Sequence, residues 1–168
     1  DYHRLLERAD GYTAFSMIGM SPSIIPARIA FQLDLKGPAE AVDTACSSSL
    51  VSVNNAVKAI AAGEVSMALA GGVYLMTTPL GHIISSRAGI LASDERCKPF
   101  DVSADGIVIG EAVGVLVLTS LRQAILDGDP IRAVIRGTAV NQDGRTNGIT
   151  APSSGAQSDL IRQALMPA

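Results

Sequence analysis

Val42-Asp43-Thr44-Ala45-Cys46-Ser47-Ser48-Ser49-Leu50 is where the periodicity of the chain changes, and the fold turns on how that change is read. Upstream, after Gly37-Pro38, residues 39–45 form a short run of strand length. Downstream, from Ser47, the apolar positions Leu50, Val53, Val57 and Ile60 recur at three-and-four spacing, which predicts a helix closing at Gly63. Cys46 is therefore expected at a strand-to-helix corner.

Working outward, Ser21-Pro22 followed by Ile24, Ile25, Arg28, Ile29 and Leu33 reads as a capped helix that stops at Lys36-Gly37-Pro38. Residues 65–73 (VSMALAGGV) are apolar over a strand's length, the pattern of a strand buried on both faces. Another helix is expected from about Pro79. Two β-rich runs, 107–118 and 131–140, flank a helical segment at 120–126 that breaks at Asp127-Gly128-Asp129-Pro130, and residues 155–166 form the last helix. Buried strands alternating with helices predict an α/β sandwich around a largely internal sheet. With no internal repeat and no low-complexity tract, one compact unit is expected.

Composition narrows the function. The 168 residues are 48% hydrophobic and only 17% charged, which excludes a disordered tail and predicts a substantial core. A net charge of -3 and no run of consecutive Lys or Arg remove the electrostatic footprint of a nucleic-acid or anionic-membrane binder. The greasiest stretch, 107–118, is interrupted by Glu111 and is too short to span a membrane. The opening Asp1-Tyr2-His3-Arg4 has neither an initiator Met nor a basic-then-apolar leader, so a piece of a longer chain is expected. Cys46 and Cys97 are too few for a disulfide scaffold or a metal cluster and read as reduced thiols of a cytoplasmic protein.

A thiol in the first turn of a helix, among small residues that leave room for a substrate, suits a nucleophile. The free N–H groups and positive dipole end of a helix start favour thiolate, and the cysteine's own N–H can face an oxyanion on the attacked carbonyl. Acyl transfer is the natural reaction class. The alternative is that Cys46 is a small buried hydrophobe beside capping serines. Local physics leaves both open.

Asp43-Thr44-Ala45-Cys46-Ser47-Ser48-Ser49-Leu50 resembles the active-site signature of the β-ketoacyl synthases. Gly37-Pro38, Ala70-Gly71-Gly72-Val73, Arg96-Cys97-Lys98-Pro99-Phe100-Asp101, Ala104-Asp105-Gly106, Gly110-Glu111 and Gly114-Val115-Leu116-Val117-Leu118 follow in the family's order. Asn141-Gln142-Asp143-Gly144, Thr146-Asn147-Gly148 and Thr150-Ala151-Pro152 are similar to ketosynthase domains of modular type I polyketide synthases rather than to dissociated fatty acid synthases. The resemblance implies a partial ketosynthase domain of thiolase-like αβαβα sandwich fold, homodimeric when whole. Residues 1–152 would belong to its N-terminal half and 153–168 would start the C-terminal half. It also implies a reaction: an acyl group passes from the phosphopantetheine of an acyl carrier protein to Cys46, and a malonyl-type extender then condenses with it by decarboxylative Claisen attack. No bound cofactor or metal is implied. The partners would be the acyl carrier protein and neighbouring polyketide synthase domains, with no nucleic acid and no membrane. Rival readings are a thiolase-fold acyltransferase acting on coenzyme A thioesters, against which the 141–152 loop argues, and a noncatalytic dimerisation and carrier-docking scaffold.

The family's two histidine motifs, His-Gly-Thr-Gly-Thr and Asn-x-Gly-His, do not occur in the chain, and His3 and His82 lack their context. The chain alone is therefore expected to hold the nucleophile without completing the reaction. Departures from the family pattern are Ala112 after Gly110-Glu111, Asp94-Glu95-Arg96 for the common Asp-Gly-Arg turn, Met17-Ile18-Gly19-Met20 near the expected acyl cleft, and Asn54-Asn55, expected on the outward side of the nucleophile helix. Gly106, Gly110 and Gly114 read as close backbone packing rather than a membrane dimer motif. Gly71-Gly72 lacks phosphate-loop spacing. Cys97 reads as structural, Asp143 and Asn147 as turn residues, and Glu111 as a structural acid that must find a hydrogen-bond partner or stay exposed.

Overall fold

The computed structural model describes residues 5–7, 9 and 11–166. Six helices and two strands are named below in chain order: α1 (Ser16–Met20), α2 (Ile24–Gln32), α3 (Ser48–Ala61), β1 (Met67–Tyr74), α4 (Leu80–Arg87), β2 (Ala112–Thr119), α5 (Leu121–Asp127) and α6 (Ser154–Leu165). A 3-10 turn, Ala45–Ser47, leads into α3.

Local chemistry sets the helix boundaries. Ser120 starts α5 by accepting the Gln123 N–H on its hydroxyl at 3.1 Å, and Ser153 does the same for Ala156 at 3.2 Å at the start of α6. Gly128 ends α5 in the left-handed conformation, at φ 71°, where a side chain would be strained. α2 begins later than the Ser21-Pro22 signal implied. Its N-terminus carries no side-chain cap, because the hydroxyls of Ser21 and Ser23 bond each other at 2.8 Å instead.

β1 and β2 form a two-stranded sheet. They run antiparallel. Thr119 Oγ1 donates to the Ser66 carbonyl at 2.9 Å beside one end of the pair, and the Glu111 carboxylate accepts the Met76 N–H beside the other. The apolar run at 107–118 is thus not one strand. Ile107 pairs with Leu91 in an isolated parallel bridge, and regular pairing begins only at Ala112, past the point where Glu111 takes hold of Met76.

Several sequence expectations are corrected. Residues 131–140 form no strand, and none lies before Cys46 at 39–44, because a ladder needs a neighbouring edge and among the described residues neither segment has one. The single compact unit is replaced by two. One comprises Asp1–Ala41 and Gly72–Gly114, the other Val42–Gly71 and Val115–Ala168. The expected core is also missing: among the described residues only Val53, Asn54, Ala70 and Ala124 are buried. β1, expected to be buried, is open except at Ala70, and on β2 Val113, Val115, Leu116 and Val117 are exposed, so neither face of that strand is covered. Among the described residues, no helix is long and apolar enough to cross a membrane.

Candidate active site

The segment ahead of α3 is shaped by hydroxyls that fold back on the backbone. Ser48 Oγ accepts the Thr44 N–H at 2.9 Å and donates to the Ala45 carbonyl at 2.7 Å. Ser47 Oγ donates to the Thr44 carbonyl at 2.9 Å and pairs with Thr44 Oγ1 at the same distance. Asp43 adds a turn of its own, its carboxylate accepting the Ala45 N–H at 3.2 Å. Held in this way, Ala45 adopts φ 56°, a left-handed conformation that costs an L-residue about 1 kcal/mol or more. The strained residue immediately precedes Cys46.

Cys46 itself is exposed, as the second residue of the 3-10 turn that runs into the 14-residue α3. Among the described residues this thiol, like that of Cys97, is not buried. At the start of the helix its N–H is one of those with no acceptor a turn earlier, and it lies at the positive end of the aligned peptide dipoles. The expected corner is present in altered form, as a kinked turn and a helix rather than a strand and a helix.

The remainder of α3 is held from two sides. Ser52 Oγ donates to the Gly71 carbonyl on β1 at 3.2 Å, sharing its proton with the Ser49 carbonyl at 2.7 Å. Asn54 was expected to face outward with Asn55. Asn55 is exposed, but Asn54 is 3% exposed and accepts a hydrogen bond from Thr138 Oγ1 at 3.0 Å. The reason is its register: one residue after Val53 and three before Val57, it falls on the apolar stripe of the helix, where a polar side chain persists only when paired. Sequence reasoning missed both Asn54 and Thr138, although that spacing carried the signal for the first. Asn141, in the polar loop that follows, donates from Nδ2 to the Ala156 carbonyl in α6 at 2.7 Å, and Thr146 Oγ1 donates to Gly148 O at 2.6 Å.

In the other unit, Lys98 reaches two carboxylates, Asp105 at 2.6 Å and Asp94 at 3.0 Å. Asp105 also accepts the N–H and hydroxyl of Ser93. The hydrogen bond from Lys98, then those from Ser93, hold the Asp105 carboxyl well below the usual carboxylate range. Asp94 is lowered chiefly by Lys98, and Lys98 is raised by Asp105 and then by Asp94. Asp101 is lowered by the hydroxyl and then the N–H of Ser103. The Arg96–Asp101 and Ala104–Gly106 motifs are thus parts of one ion-paired loop. Cys97 is exposed within it, not packed in a core. Glu95, where the family pattern has glycine, stands at φ 58°. Met17 and Ile18 lie exposed in α1. His82 is exposed on α4, and His3 falls outside the described residues.

The family model for the β-ketoacyl synthase N-terminal domain matches residues 1–124, and that for the β-ketoacyl synthase C-terminal domain matches residues 132–168. Polyketide synthase GfsB of Streptomyces halstedii is 50% identical over 162 residues, 96% of this chain and 3% of that protein. Polyketide synthase PksN of Bacillus subtilis is 45% identical over 163 residues, 97% of this chain and again 3% of that protein. The chain thus spans only a small part of the relatives it matches. Among solved structures, the ketosynthase from module 6 of the bacillaene synthase of Bacillus subtilis matches with a TM-score of 0.83 and 51% identity, over 86% of this chain and 26% of that one. The Streptomyces albus oxazolomycin ketosynthase domain matches with a TM-score of 0.83 at 39% identity, over the same shares of the two chains.

Proposed function

The chain belongs to the β-ketoacyl synthase family, as part of a ketosynthase domain of thiolase-like fold, and on that premise we propose that Cys46 is the acyl-accepting nucleophile of a polyketide-forming condensation. The observation that carries the proposal is the placement of Cys46 in the 3-10 turn that leads into α3, directly after a left-handed Ala45. Strained backbone at a reactive side chain is a recurrent device of functional sites.

In the proposed reaction the Cys46 sulfur attacks the carbonyl of an acyl thioester borne on the phosphopantetheine of an acyl carrier protein. The tetrahedral oxyanion faces the Cys46 N–H, the pantetheine sulfur leaves with a proton, and the acyl group remains on Cys46. A malonyl-type extender then loses carbon dioxide, its carbanion attacks the acyl carbonyl, and the Cys46 sulfur is released. The second half-reaction belongs to a larger assembly, since neither histidine motif of the family is among these 168 residues. The carrier protein, neighbouring polyketide synthase domains, homodimerisation and a cytoplasmic setting are parts of the same proposal. We also propose that residues 1–152 belong to the N-terminal half of the fold and 153–168 start the C-terminal half, supported by the new helix that Ser153 caps, although the C-terminal family model already matches from residue 132.

Mass-mapped alkylation tests the reading. A thiol reagent is expected to modify Cys46 faster than Cys97, both being exposed. Equal or reversed rates favour a noncatalytic scaffold instead.

A further inference from the structure

Asn54 is the sole buried polar residue among those described, and its partner lies 84 positions away in sequence. Ser52, two residues earlier on α3, bonds the Gly71 carbonyl of β1. Residues two apart on an α-helix are separated by about 200° around its axis. The two tethers therefore grip α3 from nearly opposite sides, and together they fix its rotation about its own axis. A helix held by one side chain can still turn about it; one held by two opposed side chains cannot. Rotation of α3 carries the 3-10 turn at its N-terminus with it, and so sets the direction in which Cys46 points.

We infer that Asn54 is a positioning residue for Cys46, acting through its hydrogen bond from Thr138. The inference rests on the reading of Cys46 as the nucleophile. The two tethers differ in kind. Ser52 reaches a backbone carbonyl that any sequence would present, whereas Asn54 needs a hydroxyl at position 138 specifically. Three residues beyond Thr138, Asn141 is bonded to the first turn of α6, so the segment that holds Asn54 is itself anchored. Asn54 touches no reacting atom; it sits about two helical turns along the chain from the thiol and works by orientation alone.

The test follows the ratio of Cys46 to Cys97 alkylation in the full chain, with helix content recorded by circular dichroism. Thr138→Val removes the hydroxyl at near-constant volume and is expected to lower the ratio about fivefold, the rate equivalent of one neutral hydrogen bond. Thr138→Ser restores the hydroxyl and is expected to restore the ratio. Asn54→Leu is expected to match Thr138→Val; if it fails to fold, the Thr138 pair decides the matter alone. An unchanged ratio in Thr138→Val with helix content intact, or an equal fall in Thr138→Ser, overturns the inference. A ratio near one in the unsubstituted chain overturns the nucleophile reading as well, so the two failures are distinct.

Discussion

Gly106 lies so close to the Leu91 peptide that a β-carbon at this position would stand 2.6 Å from the Leu91 carbonyl oxygen and 2.5 Å from the Ala92 nitrogen. The crossing is where Ile107 exchanges backbone hydrogen bonds with Ile90 and Ala92, both at 2.9 Å, so neither partner can retreat without breaking the bridge. Gly106→Ala is therefore expected to destabilise by about 2 kcal/mol or more, the scale of an overpacked site whose neighbours are backbone. The urea midpoint of the chain reads this, with Gly110→Ala as a control, because a β-carbon there meets nothing within 4 Å. Equal midpoints for the two variants would contradict the close approach.

Glu95 occupies a left-handed position, φ 58°, in the turn where the family pattern carries glycine. Glu95→Gly removes the steric cost of that conformation and adds unfolded-chain entropy, and the first effect is the larger. A gain in stability of up to about 1 kcal/mol is expected in the urea midpoint, and a loss would contradict the backbone assignment.

The ion-paired loop sets a pH window. Folding lowers the carboxyls of Asp105 and Asp94, so their stabilisation is complete above the ordinary value of about 3.9 and is lost as pH falls through their lower folded values. Folding raises Lys98, so its stabilisation is complete below about 10.4 and is lost as pH rises through its higher folded value. The Ser93 amide, bonded to Asp105, is expected to stay protected from about pH 4 to 10 and to open in acid. Lys98→Met is expected to move that acid midpoint upward, as measured by the Ser93 amide NMR shift. An unmoved midpoint would show that Lys98 is not what holds the carboxylate down.

The two serines after Ser47 are not equivalent. Ser48 accepts the Thr44 N–H and donates to Ala45, whereas Ser49 makes no side-chain hydrogen bond among the described residues. Ser48→Ala is expected to cost about 1 kcal/mol, as the loss of a helix-start cap does, and Ser49→Ala to be near neutral. Guanidinium unfolding of the two variants checks this, and equal costs would contradict the clamp.

Much of this arrangement was legible in the sequence because it is local. The helices at 121–127 and 154–165, the stop at Gly128 and the helix behind Cys46 each depend on residues within a few positions of one another, and each formed within a residue or two of expectation. What failed depends on partners far away. The segment 131–140 carries strand-forming residues but has no edge to pair with among the described residues, and the apolar run at 107–118 is divided because Glu111 binds Met76, 35 positions away. The missing core has the same origin. The apolar runs lie along strands and helices that find few partners among the described residues, so a composition of 48% hydrophobic residues overstated what these residues bury by themselves. At the proposed site, the motif singled out Cys46 as the candidate nucleophile, but the inward register of Asn54 depended on a hydroxyl 84 residues later.

The most direct measurement for the central claim is peptide mass mapping after incubation of the chain with an acyl-pantetheine thioester. The account requires the acyl adduct on the peptide containing Cys46, at least about tenfold above that containing Cys97, a difference of about 1.4 kcal/mol in barrier, and its disappearance in Cys46→Ala. An adduct shared equally by the two cysteines, or none on Cys46 while a small alkylating reagent reaches it freely, would contradict the assignment of the nucleophile.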